Sequence, residues 1–97
     1  MAFEVVVSAK AAIEIEDAMD WYHRISPDLA LDLFVKYVEA RKAIKLNPLL
    51  FQEHKEGYRK AILERFPYKL VFKVVDENKV LVVAFAHNKQ RNYWRKR

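Results

Sequence analysis

The last eleven residues of the chain, 87–97, carry side chains that could act on an anionic partner. Six of them bear a basic group or an imidazole ring, two are large aromatics, and none is acidic. Arginine and lysine attract phosphate, while aromatic rings stack on nucleic-acid bases or fill a groove in a protein partner. This segment therefore predicts a binding surface, whose candidate residues are His87, Lys89, Arg91, Tyr93, Arg95, Lys96 and Arg97.

Charge is distributed unevenly along the chain, whose formal net charge is +5. Residues 57–97 hold eleven Lys/Arg against three acids, a net of +8, whereas residues 1–56 hold seven Lys/Arg against ten acids, a net of −3. The basic half predicts an anionic partner such as nucleic acid or an acidic protein segment. A solvated basic surface that serves only solubility is the alternative.

Length and composition exclude several classes of protein. Ninety-seven residues are enough for one domain, 1–97, and 53% apolar residues exclude general disorder. The chain has no cysteine, and His23, His54 and His87 share no ligand spacing, so we expect no metal and no other cofactor. The absence of a long apolar run or a signal-like N-terminus predicts a cytoplasmic protein without a membrane span.

The first half of the chain predicts a strand and two helices. Residues Phe3–Val7 are β-branched and short, and Ser8 then provides an N-cap for a helix with apolar side chains at three- and four-residue spacing. The tripeptide 26–28, Ser-Pro-Asp, ends this helix and begins a second one, which runs to about Leu46. The two helices should form an antiparallel hairpin. We assign Trp21, Tyr22, Phe34 and Tyr37 to packing in the core or the hairpin.

The second half predicts three strands. Residues 58–65 alternate loosely and place Arg59 and Arg65 on one face, while residues 68–74 place an apolar face opposite Lys69 and Lys73. Residues 79–86 are apolar on both faces, as expected for a central strand. The predicted fold is α+β, in the order β-α-α-β-β-β: a four-stranded, mainly antiparallel sheet, a helical hairpin on one face and a basic C-terminal tail.

Several motifs, taken in order, resemble the RelE/ParE superfamily. They are Asn47-Pro48 after the second helix, Tyr58-Arg59 at the start of the hairpin, the segment Arg65–Phe72, and the ending His87-x-x-x-Arg91-x-x-Trp94-x-x-Arg97. The resemblance covers nearly the whole chain, and the ending is closer to the ParE-like and plasmid-stabilisation branch.

This resemblance implies a toxin of a bacterial type II toxin–antitoxin system, neutralised by a cognate antitoxin whose C-terminal segment wraps it. RelE-like members cleave mRNA in the ribosomal A site with basic residues on the sheet and in the C-terminal region. ParE-like members block DNA gyrase. Two other interpretations remain open: a non-toxic binding module that kept the fold, and a generic binder of single-stranded nucleic acid.

If the chain is a metal-independent endoribonuclease, it must deprotonate the attacking 2′-hydroxyl, stabilise the phosphorane and protonate the leaving oxygen. The resemblance then implies Arg65 or Arg91 for the phosphorane and His87 for proton transfer. Arg59 matches the family arginine instead after a register shift. Arg59 and Arg65 would lie about 20 Å apart along one strand, too far to hold one phosphate together.

Each candidate has a structural alternative. Arg65 could pair with Glu64 or Glu53 on the surface, and His87 could be a structural residue at the end of a strand. The loop 51–56 supplies only Lys55, where active ribonucleases of the superfamily carry several basic residues, and this departure argues against RNA cleavage. The strand Phe3–Val7, if it lies at a sheet edge, could pair with an antitoxin strand or with a second copy of the chain as a homodimer.

Overall fold

The computed structural model describes residues 2–89, which form two helices and four strands in the predicted order β-α-α-β-β-β. No helix in this part of the chain is long and apolar enough to cross a membrane. The strands are β1 (Glu4–Val7), β2 (Tyr58–Ile62), β3 (Tyr68–Asp76) and β4 (Lys79–His87), the helices are α1 (Ala9–Ile25) and α2 (Pro27–Leu46), and short 3-10 turns lie at Pro48–Leu50 and Lys55–Gly57.

The helical hairpin forms at Ser26, as the sequence predicts. The backbone N–H of Ser26 donates to the carbonyl of Tyr22 at 2.9 Å and closes α1, while its hydroxyl accepts from the N–H of Leu29 at 3.3 Å and opens α2. Pro27 occupies the first turn of α2, where no backbone donor is needed. One residue therefore ends one helix and begins the next, which makes the turn between them short.

The four strands form a single sheet in the order β1-β4-β3-β2. β4 has a neighbour on each side, which confirms its predicted central position. β1 runs parallel to β4, and the other pairs are antiparallel. A parallel pair needs a crossover connection, and the α1–α2 hairpin with the strands that follow it provides one. A register shift between Val71 and Phe72 interrupts the β3–β4 pairing.

The main core lies between the helices and one face of the sheet. Leu33 and Ile44 of α2 are fully buried against Leu70 and Phe72 of β3 and Val80 of β4. The sheet thus carries both helices on one face. No helix among residues 2–89 covers the opposite face, which we call the helix-free face and which has its own small buried cluster around Val71 and Ala84.

Two aromatic side chains lie outside the core that the sequence predicted for them. Phe34 and Trp21 are 50% and 51% exposed, whereas Tyr37 is buried and Tyr22 packs against the core. Phe34 follows the buried Leu33 directly, and one helical step of about 100° turns it toward solvent. The core alternative is therefore wrong for Phe34, whose ring instead lies at the helical hairpin, 6.3 Å from the ring centroid of Tyr37.

The strand predicted for residues 58–65 ends earlier, at Ile62. The N–H of Leu63 donates to the carbonyl of Tyr68 at 2.9 Å and closes a turn that contains Pro67. Arg65 lies within this turn and has a left-handed backbone, with φ of 75°. It therefore does not share a strand face with Arg59, as the alternation had predicted.

Candidate functional site

Arg59 of β2, at the edge of the sheet, binds the loop 51–56 through two contacts. One guanidinium nitrogen donates to the carbonyl of Phe51 at 2.6 Å, and the other forms an ion pair with Glu53 at 3.1 Å. Only 16% of the Arg59 side chain is exposed, and a β-bridge joins the same two residues, Glu53 and Arg59. A guanidinium engaged on both sides in this way is poorly placed to bind phosphate.

Arg65, in the turn between β2 and β3, forms an ion pair with a residue of α2. Its guanidinium lies 2.8 Å from the carboxylate of Asp32 in α2 and 5.5 Å from the ring centroid of Phe66. The contact is a surface ion pair, with 56% of the Arg65 side chain exposed. Its partner is neither of the acids predicted from the sequence: Glu64 pairs with Lys36, and Glu53 pairs with Arg59.

His87 is the last residue of β4 and lies opposite Tyr68 in the register with β3. Its ring contacts that of Tyr68, with centroids 5.8 Å apart, and its Nδ1 accepts a hydrogen bond from the backbone N–H of Lys89 at 3.2 Å. An accepting Nδ1 carries no hydrogen, so the neutral ring has its proton on Nε2. A fully protonated ring would lose the bond from Lys89. This geometry therefore favours His87 as a donor through Nε2 rather than as a base.

A cluster of aromatic rings contacts both of the catalytic candidates that lie within residues 2–89, Arg65 and His87. The ring of Tyr22 lies edge-on to Phe66 at 5.4 Å and to Tyr68 at 6.2 Å. Arg65 contacts this cluster at Phe66, and His87 contacts it at Tyr68. Burial, with a smaller effect of Tyr22, raises the pKa of the Tyr68 hydroxyl, which keeps it protonated at neutral pH.

The other predicted binding residues fall into two groups. Lys55, at the start of its 3-10 turn, and Lys89, after β4, are both exposed. Trp94 of the ending motif lies outside the described residues, as do five further candidates: Arg91, Tyr93, Arg95, Lys96 and Arg97. Within residues 2–89, no group of three or more His, Asp or Glu side chains could hold a metal ion.

The helix-free face carries a group of lysines that the sequence analysis did not single out as a site. Lys69 and Lys73 lie on β3, and Lys60 of β2 lies opposite Val71, which places all three on the same face. The signal was in the sequence, since Lys69 and Lys73 share one face of β3 and Lys60 lies on the strand before it. The site was missed because the facing positions depend on the register between β2 and β3.

Lys69 is buried, with only 5% of its surface exposed. Its Nζ donates to the carbonyl of Asn88 at 3.4 Å. Burial, and then the charge of Lys60, lower the pKa of the Lys69 ammonium group. At the other end of the group, the Nζ of Lys73 lies 5.2 Å from the ring centroid of Tyr58. The helix-free face therefore combines positive charge with an aromatic ring.

An open apolar groove lies beside α2 and is bounded at one end by α1. It consists of two cavities, each of about 400 Å³, which share Phe34, Tyr37 and Arg41 and together follow α2 from Phe34 to Lys45. We call them the α1–α2 groove. Its remaining lining residues are Val7, Ala12, Ile15, Glu16 and Met19 in the first cavity, and Val38, Lys42 and Lys45 in the second.

The fold is similar to that of a chain in a solved structure described as the chromosomal ParDE TA (toxin–antitoxin) system from P. aeruginosa. The two superpose with a TM-score of 0.75 at 22% sequence identity, and the match covers 89% of this chain and 96% of that one. No model of a protein family and no curated protein matches the sequence. The structural likeness shows that the two chains share a fold, and it is consistent with the α+β architecture predicted from the sequence.

Proposed function

We propose that this chain is the toxin of a type II toxin–antitoxin system, that it arrests growth by binding DNA gyrase in the cytoplasm, and that a cognate antitoxin neutralises it. The observation that carries the proposal is the fold shared with a chain of a ParDE system over 89% of this chain. A match over almost all of both chains favours a whole toxin-like domain over a shared fragment.

The positions of the cationic side chains support binding over RNA cleavage. Cleavage needs a base, an acid and a charge-stabilising group around one phosphate. Arg59 is engaged by Phe51 and Glu53, Arg65 pairs with Asp32, and Nδ1 of His87 already accepts from the N–H of Lys89. Such an arrangement fits a protein that acts through its surface on another protein.

The exposed apolar residues on the helices support the antitoxin as a partner. Proteins that function alone seldom leave large side chains such as Phe34 and Leu31 together at the surface. An antitoxin that covers the helical hairpin would remove this surface from water. It would at the same time sterically exclude a larger target, which is a simple means of neutralisation.

Ribosome-dependent cleavage of mRNA is the second candidate. The observation that favours it is the lysine group on the helix-free face, where the partly exposed Lys60 and Lys73 could bind a phosphodiester backbone and Tyr58 could stack on a base. This face lies on the opposite side of the sheet from the α1–α2 groove. The surface offered for RNA and the surface offered for the antitoxin therefore lie on opposite sides of the sheet.

Controlled expression in bacteria tests the proposal. Induction without the neighbouring gene should arrest growth, with relaxed plasmid DNA or double-strand breaks and without new mRNA 5′ ends at ribosome positions. Co-expression of the adjacent open reading frame should restore growth. New ribosome-positioned mRNA ends would favour the second candidate. Unimpaired growth at high soluble expression would favour a non-toxic binding module.

A further inference from the structure

The helix-free face of the sheet exposes apolar side chains on both of its edge strands. Val6 of β1 is 36% exposed and Ile62 of β2 is 68% exposed, while Leu81 and Val83 of β4, between these edges, are half-buried. The register places Val6 opposite Leu81 on this face, whereas Val5 packs against the core on the other face. A sheet that packs one face on the core commonly turns polar side chains to water on its other face. Here apolar side chains occupy part of that second face.

These apolar residues extend across the whole width of the sheet. Val6 and Ile62 lie on opposite edges with two strands between them, so three strand spacings, about 14 Å, separate them across the sheet. Val71 and Ala84 occupy the middle of the face, with Tyr58 packed against them. Small molecules bind mostly in concave pockets. A broad, open surface of this kind suits a protein partner.

The charges on the helix-free face are unevenly placed. Lys60 of β2 and Lys73 of β3 are both partly exposed there. The carboxylates of Glu4 and Asp76 lie opposite Lys79 in the register, next to the turn between β3 and β4, and the carboxylate of Glu4 is 4.0 Å from Nζ of Lys79. Positive charge therefore dominates the part of the face nearest β2. A partner that presents carboxylates to β2 is complementary in charge.

The side chains of this face favour a protein over RNA as the partner. RNA is bound through cations and through aromatic rings that stack on bases. β2 supplies the ring of Tyr58, but Nζ of Lys73 already lies 5.2 Å from the centroid of this ring. Aliphatic side chains such as Val6 and Ile62 gain little from contact with phosphate. They release water when they contact apolar side chains of another protein.

We infer that the helix-free face is the surface through which the chain binds gyrase. The bound segment of gyrase packs apolar side chains on Val6 and Ile62 and directs carboxylates to Lys60 and Lys73. The inference rests on the proposed function, because it takes gyrase as the target. It adds the surface that is bound and the chemistry of the segment that binds it.

The test measures how much of the full chain is needed to halve the supercoiling of plasmid DNA by purified gyrase. Ile62→Asp should raise this concentration by about tenfold or more, because it places a charge in an apolar contact. Ile13→Asp is the matched control, since Ile13 has a similar exposure, 58%, and belongs to α1 on the other side of the sheet. Its inhibitory concentration should stay within about twofold of wild type.

A second pair of variants tests the charged part of the face. Lys60→Glu should weaken inhibition by about tenfold and make it less sensitive to salt, whereas Lys10→Glu, an exposed lysine at the start of α1, should change neither. Circular dichroism of each variant checks that the fold is retained. If Ile62→Asp fails this check, Ile62→Thr replaces it, because threonine keeps the β-branched shape that suits a strand. Its inhibition should also be weaker than that of wild type.

The outcomes separate this inference from the proposed function. Weaker inhibition by Ile62→Asp and Lys60→Glu, with both controls unchanged, would support both. Wild-type inhibition that neither variant weakens would overturn the helix-free face as the binding surface and leave the gyrase function standing. A wild type that does not inhibit gyrase would overturn the proposed function and this inference with it. Binding of single-stranded RNA that Lys60→Glu abolishes, with gyrase inhibition intact in the same variant, would overturn the inference in favour of RNA on this face.

Discussion

The backbone N–H of Lys89 donates to Nδ1 of His87 at 3.2 Å, across two residues of the chain. This bond fixes the hydrogen of the neutral imidazole on Nε2. A general base must offer an unprotonated nitrogen to its substrate, and here the unprotonated nitrogen already accepts a bond. His87 is therefore bound into the end of β4 in a way that suits a structural role.

The first prediction concerns this histidine. His87→Gln should leave growth arrest intact, because a target bound through the protein surface needs no proton transfer. Colony counts after induction, at equal soluble levels of wild type and variant, measure the effect. Loss of growth arrest in His87→Gln, together with cleavage of mRNA on induction of the wild type, would contradict this prediction and support a catalytic role for His87.

The second prediction separates the two sheet arginines by stability. Arg59→Ala leaves the carbonyl of Phe51 without its donor and breaks the pair with Glu53, so it should cost about 1–3 kcal/mol in the free energy of unfolding. Arg65→Ala breaks an exposed pair with Asp32 and should cost less than about 1 kcal/mol. Urea unfolding of both variants measures the difference. Equal losses would contradict a structural role specific to Arg59.

The third prediction concerns the backbone of Arg65, whose φ is 75°. Arg65→Gly should be more stable than Arg65→Ala by about 1 kcal/mol, because both lose the ion pair and only alanine retains the strain of a left-handed backbone. The control is Val75 in β3, an exposed strand residue. At Val75 the glycine variant should be less stable than the alanine variant. If urea midpoints show glycine below alanine at Arg65 as well, the backbone of Arg65 is not strained.

The fourth prediction concerns Lys69. Burial lowers the pKa of its ammonium group below the ordinary 10.5, so the folded state binds this proton less tightly than the unfolded state. The resulting penalty is present at neutral pH and is relieved as pH rises from the lowered pKa toward 10.5. Compared with Lys69→Met, the wild type should therefore gain stability over this interval. Urea unfolding at a series of pH values measures the change.

If the free energies of unfolding of the wild type and of Lys69→Met change in parallel at alkaline pH, the prediction for Lys69 is contradicted. Lys73→Met is a suitable second control, because Lys73 lies on the same strand and face but is less buried. Its difference from wild type should change little over the interval. A change as large as that of Lys69→Met would mean that overall charge, rather than burial, sets the dependence.

The sequence predicted those parts of the fold that depend on local signals. Ser26 followed by Pro27 located the helical turn, and Asn47 followed by Pro48 located the end of the second helix, because caps and prolines act within a few residues. The apolar character of both faces of residues 79–86 predicted the central strand β4. The order of the elements then predicted the architecture.

The features that the sequence did not predict depend on contacts between distant residues. The alternation of apolar and polar residues predicted that Arg65 continues a strand. The hydrogen bond from the N–H of Leu63 to the carbonyl of Tyr68, which closes the turn around Arg65, does not follow from that alternation. Its pair with Asp32 spans 33 residues. Phe34 is exposed although the adjacent Leu33 is buried, because one helical step turns the side chain to another side of α2. Apolar residues lie on both sides of this helix, so the sequence alone does not show which side is buried.

The burial of Lys69 illustrates the same limit on the helix-free face. Its position opposite the apolar side of β3 was predicted, but its exposure is set by neighbours on β2 and β4. The lysine group therefore became visible only once the register of the three strands was known. The candidate residues beyond Lys89 stay predictions.

The most direct test of the central claim is DNA supercoiling by purified gyrase in the presence of the purified chain. The account predicts that the chain inhibits supercoiling in proportion to its concentration, that the product of the adjacent gene reverses the inhibition, and that mRNA on ribosomes stays intact under the same conditions. Uninhibited supercoiling together with cleavage of ribosome-bound mRNA would contradict it.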